Sequence, residues 1–395
     1  MTPEEVAARA ESIADDVRAR GTELRFDYAG VSIAYRSDEA ATGEWISQFL
    51  EGYFVPADAG KADATVCSTA DPALFAALQT LSAEHPTAGR REHVEIPFVP
   101  SVALIRRTAG KAAPGDGVHL LLFERDRTIV LVTSGDLEVR REEGMQLLRA
   151  LGKWLLLEQG WIPMHSACAA KSGRAICIAG EKASGKTSTL LNLLARNGCD
   201  LAAVDKFLLR SDGARLEICG IPGKIGVRVG TALAQPWVLE WLADESSSFF
   251  PRMSLEEVQH IADTNSPEQL RVRKEKMNLL PAELARLVRR SISPTAPLGL
   301  VLIPVFDLSV AESRLVPVER EQAIETLMKS YAGILTKGEG FLRHFFDVSD
   351  RQLEDRLAVL LRTCLPEGAT YEVHQNHRTN EHTANLVTGL LSSVP

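Results

Sequence analysis

The chain has 395 residues, 45% of them apolar, and a net charge of -8. This length allows two or three domains with sizeable cores, and the acidic balance argues against nucleic acid as a partner. The six cysteines (Cys67, Cys168, Cys177, Cys199, Cys219 and Cys364) are scattered without a C-x-x-C pair, which predicts reduced core thiols in a cytoplasmic protein.

The N-terminal stretch MTPEEVAARAESIADDVRARG carries acids from Glu4 onward and lacks an apolar segment. It reads as a polar helix and not a signal peptide. No uncharged apolar run is long enough to cross a bilayer, so no membrane is expected as a partner. Residues 1–145 read as an N-terminal α+β domain. ELRFDYAGVSIAYRS predicts two strands about Gly30, GEWISQFLEGYF an amphipathic helix, and VHLLLFERDRTIVLVTSG a hairpin turning at Glu124–Arg127. Thr108–Gly117 is rich in Gly, Ala and Pro and reads as an exposed loop. Nothing in this region carries obvious chemistry, leaving substrate recognition or homo-oligomer assembly as its role. A helix is then expected over Glu142–Gln159, ended by Gly160, and the second domain is assigned to residues 146–395.

RAICIAG (174–180) is an apolar run suited to a buried strand. It leads into GEKASGKT, which fits G-x-x-x-x-G-K-[ST], and then into STLLNLLARNG, a helix with Gly198 as its stop. Strand, glycine loop and helix follow in the order a phosphate-binding P-loop requires. Gly180 and Gly185 let the backbone curl so that amide N–H groups turn inward, and the helix N-terminus adds partial positive charge. Lys186 supplies a mobile cation for the β- and γ-phosphates, and Thr187 a hydroxyl for Mg²⁺. The nucleotide contacts are thus expected from Gly180, Glu181, Lys182, Ala183, Ser184, Gly185, Lys186, Thr187 and Ser188.

The next strand, in CDLAAVDKFLLR, brings Asp205 close behind the P-loop helix. An acid there can hold Mg²⁺ or take a proton from an acceptor hydroxyl. The bland alternative is a surface acid on an edge strand. Asp212–Gly213 then signals a two-residue type I′ hairpin between FLLRS and LEICGI. A hairpin at this point differs from the βα unit of a doubly wound GTPase. The fold class expected is therefore α/β with α+β character, its P-loop core lying on a mixed, largely antiparallel sheet.

The ordered set Met164–His165, GEKASGKT, Asn197–Gly198, AVDK and LEICGI resembles the HPr kinase/phosphorylase family, which shares a P-loop core with phosphoenolpyruvate carboxykinase. The resemblance covers about residues 160–235. It implies that Lys186 and Thr187 handle phosphates and Mg²⁺, that Glu217 is a second Mg²⁺ contact, that His165 sits beside the reacting phosphate, and that Asp205 survives from an Asp-Asp pair. Two departures stand out: Val204 replaces the first acid of the pair, and Cys219 replaces an Arg. The loop GIPGKIGVRVG places Lys224 and Arg228 where they could cover phosphates or grip the acceptor, or form a plain turn and strand.

Further on, LGLVLIPVFDLS (298–309) reads as a buried strand ending at Asp307 in the same sheet as the P-loop strand. SRLVPVE and TYEVH read as later strands, with helices from about Glu319 and Asp350. The basic runs Arg90–Arg91 and RVRKEK (271–276) read as solvated faces, although Lys274 and Lys276 are candidate cations for a phosphorylated acceptor. His374, His377 and His382 read as a solvated tail, since their spacing does not suit zinc.

The set Lys186, Thr187, Asp205 and Glu217, with His165 and Arg228, points to an ATP- and Mg²⁺-dependent kinase. Its acceptor would be a hydroxyl, a serine of a protein or peptide or a small molecule, and the family resemblance adds a reverse phosphorylase reaction. The alternatives are a nucleotide-binding regulator without transfer, favoured by Val204, and an NTP hydrolase. The absence of an Asn-Lys-x-Asp element and the hairpin after Asp205 argue against the hydrolase.

Overall fold

The computed structural model describes all residues except 59, 84–92, 109–116, 182–183, 245–247, 267–268, 271–272, 274, 308, 335–338, 377–378 and 394–395. Lys182, Ala183, Lys274, His377, Arg90–Arg91 and most of the loop expected at Thr108–Gly117 thus lie outside the described residues. The chain divides into two units, residues 1–160 with 333–350, and residues 161–332 with 351–395.

In the first unit, eight strands form one mixed sheet. They are β1 (Thr22–Tyr28), β2 (Val31–Ser37), β3 (Val55–Pro56), β4 (Ala64–Thr69), β5 (His93–Val99), β6 (Val102–Thr108), β7 (Gly117–Phe123) and β8 (Thr128–Val132), in the order β3-β1-β2-β4-β8-β7-β6-β5. The expected hairpins about Gly30 and Glu124–Arg127 are both present as antiparallel pairs. Helix α1 (Pro3–Arg20) is started by a Thr2–Glu5 capping box. It lies with α3 (Pro72–Leu81) on one face, where Val6, Ala10, Leu74 and Leu78 meet Cys67, Leu104, Leu121 and Val130.

Helices α2 (Ala40–Leu50) and α4 (Leu137–Glu158) belong to the same unit. A side chain at Gly144 would lie 3.0 Å from the Tyr35 ring, and one at Gly152 would lie 2.9 Å from Tyr28. These glycines let α4 lie close on β1 and β2, so the helix stays whole within the first unit. The chain therefore divides at Gly160/Trp161 and not at the expected position 145. Residues 333–350 also join this unit. Lys153 Nζ donates to Ile334 O at 3.3 Å and pairs with Glu339, and His344 Nε2 lies 3.0 Å from Glu95.

The second unit carries β9 (Ile162–Met164), β10 (Ala167–Lys171), β11 (Arg174–Ile178), β12 (Asp200–Ala203), β13 (Phe207–Ser211), β14 (Leu216–Gly220), β15 (Ile225–Arg228), β16 (Lys276–Leu279), β17 (Thr295–Phe306), β18 (Arg314–Pro317) and β19 (Thr370–Gln375). The main path runs β12-β10-β11-β17-β14-β13-β9, with β19 paired to β17 and β18 to β19, while β15 and β16 form a separate ladder. Only β11–β17 and β17–β19 are parallel among these pairs of named strands. The sheet is mixed and largely antiparallel, as expected, and β17 lies beside β11.

The helices of this part are α5 (Lys186–Ala195), α6 (Val229–Leu233), α7 (Pro236–Ala243), α8 (Leu255–Thr264), α9 (Pro281–Leu287), α10 (Arg320–Lys329), α11 (Asp350–Cys364) and α12 (Asn380–Ser393). Leu190, Leu191 and Leu194 of α5 pack in one core with Ile176, Ile178, Leu300, Leu302 and Val373 of the sheet. The turn after β13 differs from expectation. Register pairs Ser211 with Leu216, leaving a four-residue loop in which Asp212 Oδ1 accepts from the N–H groups of Ala214 and Arg215. The aspartate thus organises a longer turn instead of entering a type I′ pair.

All six cysteines are free thiols, five of them buried. Burial pushes Cys67 and Cys199 up to about 11, so they behave as core side chains. Among the described residues, no helix is long and apolar enough to cross a membrane.

Candidate phosphate site

The site grows from the end of β11. Ala179 N donates to Leu302 O at 2.9 Å, extending the β11–β17 pairing to the mouth of the loop. The chain then turns through Gly180 at φ +143° and Gly185 at φ +109°, a backbone region that disfavours a side chain. Crowding adds a second reason. A Cβ on Gly180 would meet Ser184 Oγ at 3.0 Å, and one on Gly185 would meet Gln375 Nε2 at 3.2 Å.

Gly185 caps α5 without a side-chain acceptor, so the first-turn amides keep their capacity for an anion. Lys186 opens the helix and folds back over the loop, its Nζ donating to Gly180 O at 2.6 Å and Glu181 O at 2.9 Å. Burial lowers the Lys186 pKa, opposed by the negative charges of Asp205 and Glu181. Ser184 Oγ is buried and has no hydrogen-bond partner among the described residues. Thr187 and Ser188 follow at intermediate exposure. Of the residues expected to contact nucleotide, Gly180, Glu181, Ser184, Gly185, Lys186, Thr187 and Ser188 are described, and they lie at the end of β11 and the start of α5.

Asp205 lies in the turn between β12 and β13. Cys168 pairs with Cys177 of β11 on one side and with Ala203 of β12 on the other. The ends of β11 and β12 are therefore level and two strand spacings apart, roughly 10 Å. Asp205 extends two residues beyond that level, toward the loop. Its carboxylate is 61% exposed, and His165 Nδ1, on a ring 50% exposed, lies 3.7 Å from it. His165 follows β9, which is held by two backbone bonds: His165 N to Ser330 O at 2.7 Å, and Ala332 N to Pro163 O at 3.0 Å. The end of α10 is thereby drawn to the same place. Its Lys329 is raised by a hydrogen bond to Glu325, with a smaller contribution from Glu181.

Other expected residues stand apart. Glu217 faces Arg210 across the β13–β14 hairpin and accepts from its Nε and Nη2 at 2.8 Å each. It is three residue pairs from Phe207–Gly220 at the base beside Asp205, roughly 10 Å of strand. Arg210 also stacks over Trp161 at 4.2 Å. Arg228 ends β15, opposite Lys276 of β16, so a different ladder sets its position. His374 belongs to β19 and bonds Glu372 at 3.0 Å, while His382 lies in α12 near Glu312. Among the described residues, no group of three or more His, Cys, Asp or Glu side chains could hold a metal.

A residue absent from the expected set is Gln375, buried at 3% exposure at the end of β19. Its Nε2 donates to Thr189 Oγ1 at 2.6 Å. The expectation of a solvated tail does not hold at Gln375, which is buried. The apolar spacing of Ala384, Val387 and Leu390 that follows was the sign of a docked helix, here α12.

Comparison with known proteins gave no matching family model and no match among curated proteins. Among solved structures, the chain is similar to the Hpr(Ser) kinase/phosphatase from Coxiella burnetii, at 11% identity and a TM-score of 0.20, over 51% of this chain and 88% of that one. At that score the likeness carries no argument about fold or function.

Proposed function

We propose that this protein is an ATP-dependent phosphotransferase that moves the γ-phosphoryl group to a hydroxyl acceptor, a serine of a protein or peptide. The observation that carries this reading is the arrangement of Lys186. Its ammonium lies across the glycine loop at the start of α5, and the Asp205 carboxylate acts on it electrostatically. The uncapped helix start and the Ser184 hydroxyl, which has no hydrogen-bond partner among the described residues, support the same reading, because each offers a donor to a phosphate oxygen.

Mg²⁺ fits a restricted set. In nucleotide sites it is bound by one or two protein groups and otherwise by phosphates and water, so a three-ligand protein cluster is unnecessary. Thr187 would hold it directly and Asp205 only through a water, which leaves the Asp205 carboxylate free as a base, whereas Glu217 is engaged by Arg210. Bound there, Mg²⁺ would neutralise charge on the polyphosphate.

The protein's own residues do the rest. The loop amides and Lys186 hold the polyphosphate in line for displacement. As the acceptor oxygen bonds to phosphorus and the bond to ADP breaks, Asp205 takes the acceptor's proton and the His165 ring sits beside it. Reverse transfer to phosphate uses the same groups.

A second reading has its own support. Val204 stands where the first acid of the Asp-Asp pair is expected, and Glu217 is occupied by Arg210, which favours a nucleotide-binding regulator that binds without transfer. Incubation with γ-labelled ATP, Mg²⁺ and host lysate separates the two. Transfer predicts a labelled product that is lost in Lys186→Ala; nucleotide binding without any label would favour the regulator.

A further inference from the structure

We infer that Gln375 is a positioning residue for the phosphate loop, a clasp through which the C-terminal strand and helix set the loop's shape. The inference rests on the nucleotide-binding reading above and adds a residue to it. Gln375 lies 186 residues after Thr189 in sequence, and β19 brings it there through its parallel pairing with β17, Phe306 opposite Gln375.

The contacts form one buried chain. Gln375 Nε2 donates to Thr189 Oγ1 at 2.6 Å. Thr189 N donates in turn to Gly185 O at 2.9 Å, so the amide is tied to the first closed turn of α5. The same Nε2 also borders Gly185 itself. On its other side, Gln375 Oε1 accepts from Thr383 Oγ1 at 3.2 Å, and that hydroxyl shares a 2.6 Å bond with Ser313 Oγ. Gln375, Thr189, Thr383 and Ser313 are each at most 4% exposed. The backbone is pinned as well: Asp307 N donates to Gln375 O at 2.9 Å, and Asn376 Nδ2 donates to Val310 O at 2.8 Å.

Such a chain is costly to bury unless every member is satisfied, and an apolar contact would hold α5 to β19 equally well. What the amide adds is direction. It fixes the rotamer of Thr189 and the position of Gly185 together, and these frame Lys186 and Thr187. A loop already shaped for phosphate does not spend binding energy on ordering itself.

A control is built into the same interface. Asn197, past the far end of α5, donates to Ala384 O of α12 at 2.5 Å. General loosening between α5 and α12 should follow Asn197→Ala as much as Gln375→Ala. Loss of loop shape should follow only the latter.

The test is titration with MgATP, paired with amide hydrogen exchange over residues 184–189. Gln375→Ala and Thr189→Val should each weaken MgATP binding roughly tenfold. The double variant should be no worse than either single, and Thr189→Ser should restore binding. Exchange at 184–189 should speed up in Gln375→Ala and stay near wild type in Asn197→Ala. Equal binding by wild type and both clasp variants would overturn the inference, as would an equal loss in Asn197→Ala. Should Gln375→Ala fail to fold, Thr189→Val against Thr189→Ser decides. If wild type itself binds no MgATP, the nucleotide reading fails. Exchange then judges the clasp alone, with an unchanged 184–189 pattern counting against it.

Discussion

His165 Nδ1 lies 3.7 Å from the carboxylate of Asp205, with both side chains half exposed or more. A pair so exposed contributes little to stability. Its members come from turns at the ends of different strands, on the side of the sheet that carries the glycine loop. The pairing therefore makes more sense as chemistry than as a structural tie. Asp205→Asn should lower phosphoryl transfer at least about 100-fold while changing stability by less than about 0.5 kcal/mol. Rate measurements with labelled ATP and thermal melts check both halves; transfer at the wild-type rate would remove Asp205 from the mechanism.

The same substitution has a consequence in pH. Burial lowers the Lys186 pKa and Asp205 opposes that shift. Removing the aspartate charge leaves the charged ammonium less favoured, so Lys186 should lose its proton at a lower pH. Since the ammonium is the form that attracts phosphate, the alkaline loss of ATP affinity should begin at lower pH in Asp205→Asn than in wild type. Dissociation constants measured across the alkaline range would show the shift, and coincident profiles would mean that the two groups are not coupled.

Gly185 and Gly213 offer a matched comparison. Their φ angles are +109° and +105°, but a Cβ on Gly185 would press on Gln375 at 3.2 Å, whereas one on Gly213 meets nothing within 4 Å. Gly213→Ala should cost only the backbone term, about 1 kcal/mol. Gly185→Ala should cost more and weaken nucleotide binding as well. Chemical denaturation of the two variants measures the difference, and equal losses would show that the crowding is relieved without cost.

In the first unit, burial pushes His119 down to about 4, with Arg106 adding to the shift. Its Nε2 lies 3.0 Å from Ser82 Oγ. The sign follows from proton binding. Below its ordinary value near 6.5, His119 takes up a proton in the unfolded chain but not in the folded one. Stability should therefore fall as pH drops from about 6.5 toward 4, by up to roughly 3 kcal/mol. His119→Phe should flatten that part of the profile, as seen by urea denaturation at a series of pH values.

Local signals carried much of this fold. The hairpins about Gly30 and Glu124–Arg127, the strand–loop–helix from Arg174 to Ala195, and the late strands all follow from residue pattern. Four features did not. Helix α4 lies whole in the first unit because Gly144 and Gly152 seat it on Tyr35 and Tyr28, a tertiary fit that helical periodicity does not encode. Residues 333–350 return to that unit through Lys153 and His344, contacts distant in sequence. At the site, the loop and Asp205 were legible because their spacing is local. The pairing of Glu217 with Arg210 and the reach of Gln375 to Thr189 depend on strand register and on which strands become neighbours, and neither is written in a single motif.

Calorimetric titration of the wild-type chain with MgATP, beside Lys186→Ala, tests the account at its base. Saturable heat at one equivalent in the wild type, abolished in the variant, is the expected result. No heat in the wild type, or the same isotherm for both proteins, would contradict it.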